Sequence, residues 1–387
     1  MGSSRRNIPA GSAATQGRSS SSRTPTRSLG RMTPEEVEER QSVGFEAVAV
    51  AIFVILFVFT AVLVFASVPA GIYAVYSGAL SATDSAATLI HPYFWIGPLP
   101  YVPEAAVSAG VLFGAVTALY VAMLVYGALQ RARPWEAVRG SLKGGFGALM
   151  SSPFVVMITS IGFLAFTASM IDVVTSSAGI PIGSISGDPF SLFVGFAYAP
   201  LVEELGFRMV LIGLVALVLS FGKPWKEALG ALWRPSKVME GVAVGTGAGI
   251  IIWIAIGASA VAFGACHVVC GGAGWQIGKF PEAAFGGVVL GYVYVKYGFH
   301  VAVITHWGID FFGSAFAFFG MAAYGVPWNS STTEYVGQYL VDYDLLFLFG
   351  LASFVLVTYF AVMRVVRRYK GEPEPLKPPE TEGVVSA

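Results

Sequence analysis

The sequence predicts an all-α protein, a polytopic membrane helix bundle of about eight transmembrane helices. Three observations predict it. Apolar residues make up 55% of the 387-residue chain and charged residues only 12%, where a soluble domain carries about 25% charged residues. Uncharged apolar stretches recur at lengths above ~18 residues, enough to cross a ~30 Å hydrocarbon layer as helix. Between these stretches, loops rich in Lys and Arg alternate with loops that have none.

The expected spans fall near 45–67, 105–128, 146–171, 189–221, 238–270, 281–296, 299–321 and 343–364. Arginines from Arg5 to Arg40 precede the first span, and loop 77–103 has no Lys or Arg. The next loop carries Arg131, Arg133, Arg139 and Lys143, and loop 172–188 is again bare. Lys223, Lys226, Arg234 and Lys237 follow, then a loop with Lys279 alone. Lys296 marks a tight turn, loop 322–342 is bare, and Arg364, Arg367, Arg368 and Lys370 follow the last span. By the positive-inside rule this is a multi-pass protein of the cell membrane with both termini cytoplasmic. The 46 glycines suit close backbone packing in lipid. A net charge of +0 suggests no nucleic-acid partner. The expected partner on these grounds is the lipid bilayer.

Domain boundaries follow from composition. Residues 1–43 form a basic Ser/Arg/Gly/Pro-rich tail expected to be disordered, without the apolar core and cleavage site of a signal peptide. Residues 44–144 hold two membrane helices and their loops, 145–321 the membrane core, and 322–370 the last loop and helix. Residues 371–387 are a second disordered, Pro-rich tail. Two segments, 189–221 and 238–270, would each be about 50 Å long as straight helices. They must tilt or break, and GTGAG (245–249) and IGASA (256–260) offer places for a bend.

LVEELGFR, residues 201–208, sets three ionisable groups inside an apolar run. Translocon scales put a centrally placed Asp, Lys or Arg at roughly +2.5 to +3.5 kcal/mol each. On a helix Glu204 and Arg208 are i,i+4 and can pair, while Glu203 is rotated ~100° away and faces a different neighbour. There are four histidines. His91, in a loop, and His300, at a helix start, read as ordinary surface or interfacial residues. His267 and His306, taken singly, read as core histidines bonded to backbone carbonyls. Taken with Glu203, Glu204, Arg208 and Asp310 in one membrane domain, they read as functional, because ionisable residues inside a membrane are functional candidates. Cys266 and Cys270 share a helix face and read as small packing residues. Glu104, Glu240 and Glu282 read as acids placed near helix N-termini, where the macrodipole favours them.

EELGFR (E-E-x-x-x-R), FGACH from Phe263 to His267 (F-x-x-x-H) and HWGID from His306 to Asp310 (H-x-x-x-N/D) stand in this order on three apolar segments. The ordered set resembles the CPBP family of CAAX prenyl proteases and bacteriocin-processing (Abi) proteins, over roughly residues 145–321. The resemblance implies an intramembrane endopeptidase, and with it a membrane-associated peptide or protein as the partner that serves as substrate. Its catalytic residues would be Glu203, His267, His306 and Asp310, supported by Glu204, Arg208 and Phe263. It implies that Glu203 with His267 polarises a water, and that His306 with residue 310 stabilises the oxyanion. This chain has Asp where the motif also allows Asn. An ionised carboxylate cannot donate a hydrogen bond, so Asp310 is expected to orient His306. Glu204–Arg208 would hold the helix and tune the field at Glu203, or serve packing alone. A second departure is the long gap between EELGFR and FGACH, for which an amphipathic segment, KPWKEALGALW (223–233), accounts.

No cofactor is expected. Zinc stays an open alternative, with Glu203, His267 and His306 as the ligands, though three ligands from three helices have no local spacing signature. Two other classes compete: a proton-coupled transporter, for which inverted repeats would speak, and an immunity or binding protein that keeps the fold without turnover. The substrate, prenylated or not, is not legible.

Overall fold

Helix α1 (Pro34–Tyr76) opens the computed structural model, which describes residues 34–81, 83–130, 133–144, 146–184, 187–238, 247–270, 274–325 and 341–370. The chain divides into residues 1–44 and 45–387. Of the first unit only the opening of α1 is described, and it already starts at Pro34. Pro suits the first helical position, and the Glu, Arg and Gln that follow are good helix formers. The rest of the tail at 1–33, and the tail at 371–387, lie outside the described residues.

Among the described residues, six helices are long and apolar enough to cross a membrane: Val48–Tyr76 within α1, α2 (Ala109–Leu129), α4 (Pro153–Ser177), α9 (Gly247–Val269), α11 (Phe299–Tyr324) and Leu346–Met363 within α12 (Val341–Lys370). Two of the eight expected spans are absent from that set. They form helices nonetheless: residues 189–219 are wound in three pieces, each too short to cross by itself, and α10 (Lys279–Tyr297) carries Lys279, Glu282 and Lys296. Between the spans lie α3 (Pro134–Gly144), a 3-10 turn (Phe146–Ser151), α7 (Trp225–Trp233) and α8 (Pro235–Val238). The expected amphipathic segment is α7.

The over-long segment 189–221 changes its winding. Helix α5 (Pro189–Glu203) gives way to a π-helix, Glu204–Gly213, and then to α6 (Leu214–Leu219). Pro200 lies just before the change. It has no N–H to donate, and its ring crowds the carbonyl one turn back, so the α ladder is already broken there. From α2 the Tyr120 hydroxyl donates to Ala197 O at 2.7 Å, and from α9 the Ser259 hydroxyl donates to Phe207 O at 2.6 Å. The second over-long segment is described from Gly247 onward. Helix α9 begins at Gly247, runs through 256–260 without a break, and ends at Val269; residues 239–246 lie outside the described residues.

Small residues bring α9 and α10 together. A Cβ on Gly264 would meet Ala284, and one on Gly287 would meet Ala260, the close approach that lipid-embedded helices favour. At one end of the bundle stand the segments that lack Lys and Arg. Gln276 N donates to Ile182 O at 2.8 Å and Gly278 N to Pro181 O at 2.9 Å, tying loop 274–278 to loop 178–184. At the other end stand the basic segments. There Arg234 Nε donates to Lys296 O at 2.9 Å, and the Tyr297 hydroxyl to Met150 O at 3.0 Å.

Segment 77–108 is not a plain loop. Strand β1 (Leu89–Ile90) pairs antiparallel with β4 (Val107–Ser108), and β2 (Phe94–Ile96) with β3 (Leu99–Tyr101). The β2–β3 turn is Gly97-Pro98, with Gly97 at φ +60°, a conformation glycine adopts without strain ahead of a proline fixed near −65°. This hairpin lies along the π-helix. Trp95 packs on Phe207 at 5.8 Å between ring centroids, and its backbone occupies the space a Cβ on Gly206 would need. Glu104, expected near a helix N-terminus, lies instead in the β3–β4 connection, because α2 starts only at Ala109.

Candidate active site

The junction of α5 and the π-helix turns two adjacent carboxylates, Glu203 and Glu204, toward α11. Glu204 and Arg208 have no exposed side-chain surface, and Arg208 Nε stands 3.2 Å from Glu204 Oε2. The expected i,i+4 pair is therefore present, in π winding. Glu204 Oε1 is also 2.9 Å from His306 Nδ1, on α11. The Arg208 guanidinium lies 4.4 Å above the Phe263 ring, a cation–π contact that desolvation strengthens.

His306 is the hub. Its Nδ1 meets Glu204, while its Nε2 lies 3.7 Å from Glu203 Oε2 and 3.5 Å from Asp310 Oδ2. Glu203 was expected to face a different neighbour from Glu204. Both face one imidazole, from its two nitrogens. A flat ring whose nitrogens point in divergent directions can lie across two adjacent side chains even though these diverge. The partner at Nδ1 is Glu204, not Asp310. Asp310 shares the Nε2 side with Glu203.

His267, near the end of α9, has its Nδ1 2.9 Å from Phe263 O. Its ring packs edge-on against Phe263 at 4.6 Å, and the His306 ring does so at 5.7 Å. Phe263, the first residue of F-x-x-x-H, is thus a plate touched by both histidines and by Arg208. Cys266 is buried, with its Sγ 3.6 Å from Pro98 O of the hairpin and 2.7 Å from Cys270 Sγ. Among the described residues no three His, Cys, Asp or Glu side chains are gathered as ligands of one metal ion.

A cavity of about 80 Å³ borders this cluster, lined by His267, His306, Asp310 and Phe263 together with Lys279 and Glu282 of α10 and Leu164 and Ala168 of α4. A water needs ~10–15 Å³ of such space, so several fit. Glu203 reaches the cluster from the hairpin side, its side chain 16% exposed. The hairpin loop is close by. Burial and the charge of Glu203 push the Tyr93 phenol up, and Tyr198 donates its hydroxyl to Tyr93 O at 2.6 Å.

Sequence reasoning missed Lys279, Glu282 and Asp172. Lys279 and Glu282 form an ion pair at the start of α10. Asp172 of α4 brings a second carboxyl against Glu282. Glu282 does sit in the first turn of α10, as expected, but that placement also sets it on the cavity wall. The available signal was Lys279, the one basic residue in otherwise bare loops. His300 also differs from expectation. It is 1% exposed, stacked on Trp233 at 5.5 Å and beside Tyr126 at 4.9 Å, with Gln130 Nε2 3.0 Å from its Nε2. Helix α7 folds back over the α10–α11 turn and covers it. His91 is exposed, with its Nδ1 3.4 Å from Pro103 O. Glu240 lies outside the described residues.

No curated protein and no solved structure matches the chain. Residues 185–312 match the Rce1-like family model, type II CAAX prenyl endopeptidase Rce1-like. The match begins before α5 and ends within α11, so it takes in all three motifs and the charged cluster they form. It leaves out α4, which supplies one wall of the cavity. With three motifs and a matching model over this segment, residues 185–312 are similar to the Rce1-like CAAX endopeptidases, a family of peptide-bond hydrolases, and the chain is a multi-pass membrane protein.

Proposed function

We propose that Glu203 activates the water that cleaves the peptide bond, and that His306 stabilises the oxyanion. The observation that carries this is the two-sided environment of His306: Glu204 at Nδ1, with Glu203 and Asp310 at Nε2. Glu204, held by Arg208, accepts from Nδ1–H and fixes the ring. A ring protonated on both nitrogens then has Nε2–H to give to a developing oxyanion. The Glu203 carboxylate takes a proton from water as the hydroxide adds to the carbonyl carbon. The same proton passes from Glu203 to the leaving amine as the C–N bond breaks. His267, whose Nδ1 faces its own helix carbonyl, offers Nε2 to hold the water from another wall. Asp310 holds Nε2 in place before substrate enters.

The substrate on this reading is a membrane-associated peptide, of which a prenylated CAAX tail is one form. The test is peptidase activity of the purified protein in liposomes against a peptide library, with Glu203→Gln as control. Cleavage that persists unchanged in Glu203→Gln removes the assignment. For orientation, the alternation of basic and bare loops supports cytoplasmic termini in the cell membrane. In a background with Cys266 and Cys270 replaced by Ser, an impermeant thiol reagent added outside whole cells should label a cysteine at Ala178 and miss one at Ser19. The reverse pattern inverts the topology.

A further inference from the structure

We propose that α7 is a docking surface for the anionic headgroups of the lipid bilayer at the basic-loop end, a role that does not depend on the endopeptidase reading. Two observations meet on this helix. The first is an apolar stripe that faces outward. Trp225, Leu229 and Trp233 recur every fourth residue along α7 and are all exposed, and residues four apart share a helix face. Phe221, in the turn before the helix, is 97% exposed. The second observation is charge. Between Phe221 and Val238 stand Lys223, Lys226, Arg234 and Lys237 against one acid, Glu227, and the three lysines are exposed. A helix of 9 residues is too short to cross a bilayer. One with an outward apolar face and basic flanks lies in the plane of the headgroups.

The inner face of α7 sets the depth at which this stripe opens. Tyr294 donates its hydroxyl to Leu232 O at 2.8 Å, Arg234 Nε donates to Lys296 O, and Trp233 stacks on His300. Helix α10 ends at Tyr297 and the membrane-spanning α11 begins at Phe299. The bonds therefore hold α7 across the end of a span, where hydrocarbon gives way to headgroups and where Trp is favoured. The charges then choose among surfaces. A sheet of anionic phosphates receives the lysines while its acyl chains receive the stripe, so one partner satisfies both. Trp225 and Lys226 show the two parts side by side, with the ammonium 5.6 Å from the ring centre. Helix α3, at the same end, makes the comparison. It has an exposed Trp135, but four residues on stands Arg139 where α7 has Leu229. Its apolar face is interrupted, and docking falls to α7. On the inner side Leu232 lies beside Gly213, the last residue of the π-helix. Lipid held on α7 thus steadies the wall against which the π-helix ends.

The test uses the full-length protein in detergent, titrated with phosphatidylglycerol or phosphatidylcholine of the same acyl chains, with bound lipid counted by native mass spectrometry. Wild type should bind phosphatidylglycerol about 10–100-fold more tightly. With Lys223→Gln, Lys226→Gln and Lys237→Gln combined, the ratio should fall to within about three-fold of one. Lys223→Arg, Lys226→Arg and Lys237→Arg combined should keep it, because the charge is kept. Trp225→Ser with Leu229→Ser should weaken both lipids several-fold through lost apolar contact. Equal binding of the two lipids by wild type, which needs no variant to fold, overturns the proposal. A preference that survives the three Lys→Gln changes also overturns it, because basic residues elsewhere would then hold the lipid. So does displacement of phosphatidylglycerol by glycerol phosphate at equal concentration, since the site would then be one for a free anion.

Discussion

His300 and His306 lie on one helix, less than two turns apart, and both are buried, yet their surroundings have nothing in common. His300 is stacked on Trp233, beside Tyr126, and meets the neutral amide of Gln130. His306 meets Glu204, Glu203 and Asp310, with Arg208 behind Glu204. Burial is therefore not what distinguishes the two histidines of this helix. The difference is the charge of its partners, and it follows from position. At the basic-loop end, α7 closes over the turn with aromatic rings. Toward the middle of α11, the junction of α5 and the π-helix presents two carboxylates to one imidazole. Neutral partners satisfy the ring and fix it. Carboxylates on both nitrogens let it hold, give or receive a proton.

The contrast can be broken most sharply at the catalytic side. Glu203→Gln keeps the shape of the residue and removes the base, so turnover should fall by about 10²–10⁴-fold with the thermal unfolding midpoint unchanged. A variant as active as wild type would make His306 and its acids a structural set like that of His300. The next largest effect should come from Glu204→Gln, which leaves the Arg208 guanidinium buried without a counter-charge. It should destabilise the protein by about 3–5 kcal/mol and lower turnover as well. Glu204→Gln combined with Arg208→Met should recover much of the unfolding midpoint but not the turnover. Recovery of both would reduce the pair to a packing element.

His300→Ala supplies the opposite case. Removing the ring leaves Gln130 without its partner and should cost about 1–3 kcal/mol, while the protein that folds should keep turnover within a few-fold of wild type. A loss as deep as that in Glu203→Gln would end the distinction between the two histidines. The smallest expected effect is that of chelation. Turnover should persist after thorough metal removal, and metal analysis should find well under one zinc per chain. Loss of turnover restored by added zinc would give Glu203, His267 and His306 a shared metal instead.

Much of this was legible in the residues themselves. Charge and hydropathy were enough for a polytopic helix bundle, since the cost of a charge in lipid leaves few other readings. The pairing of Glu204 with Arg208 was legible because four residues make nearly one turn in α or π winding alike. Other features could not be read, for definite reasons. The convergence of Glu203 and Glu204 on one ring depends on where α11 crosses, which no local spacing encodes. The π-helix had a signal in Pro200, three residues before Glu203, but a proline announces a broken ladder and not how it is rebuilt. The burial of His300 depends on α7 folding back, a long-range event. Hairpin β2–β3 sits in a stretch that is apolar but too short and too interrupted by Pro and Gly to read as a span.

The π-helix has a consequence for how this chain can change in length. Upstream of it, Tyr120 and Tyr198 fix the register of α5. Downstream, Gly213 lies against the Tyr294 hydroxyl, which leaves no space for a Cβ there. Deleting one residue between these fixed points would rotate everything on one side by roughly a quarter turn and shift it along the axis, so Glu203 and Gly213 could not both keep their neighbours. Insertions and deletions are thus excluded from 204–213 by geometry on both flanks. They are admitted between Leu219 and Val238, at the basic-loop end and away from the cavity, where a longer connection adds only a slowly growing closure entropy. The unusual spacing between the motifs EELGFR and FGACH has been accommodated in that stretch.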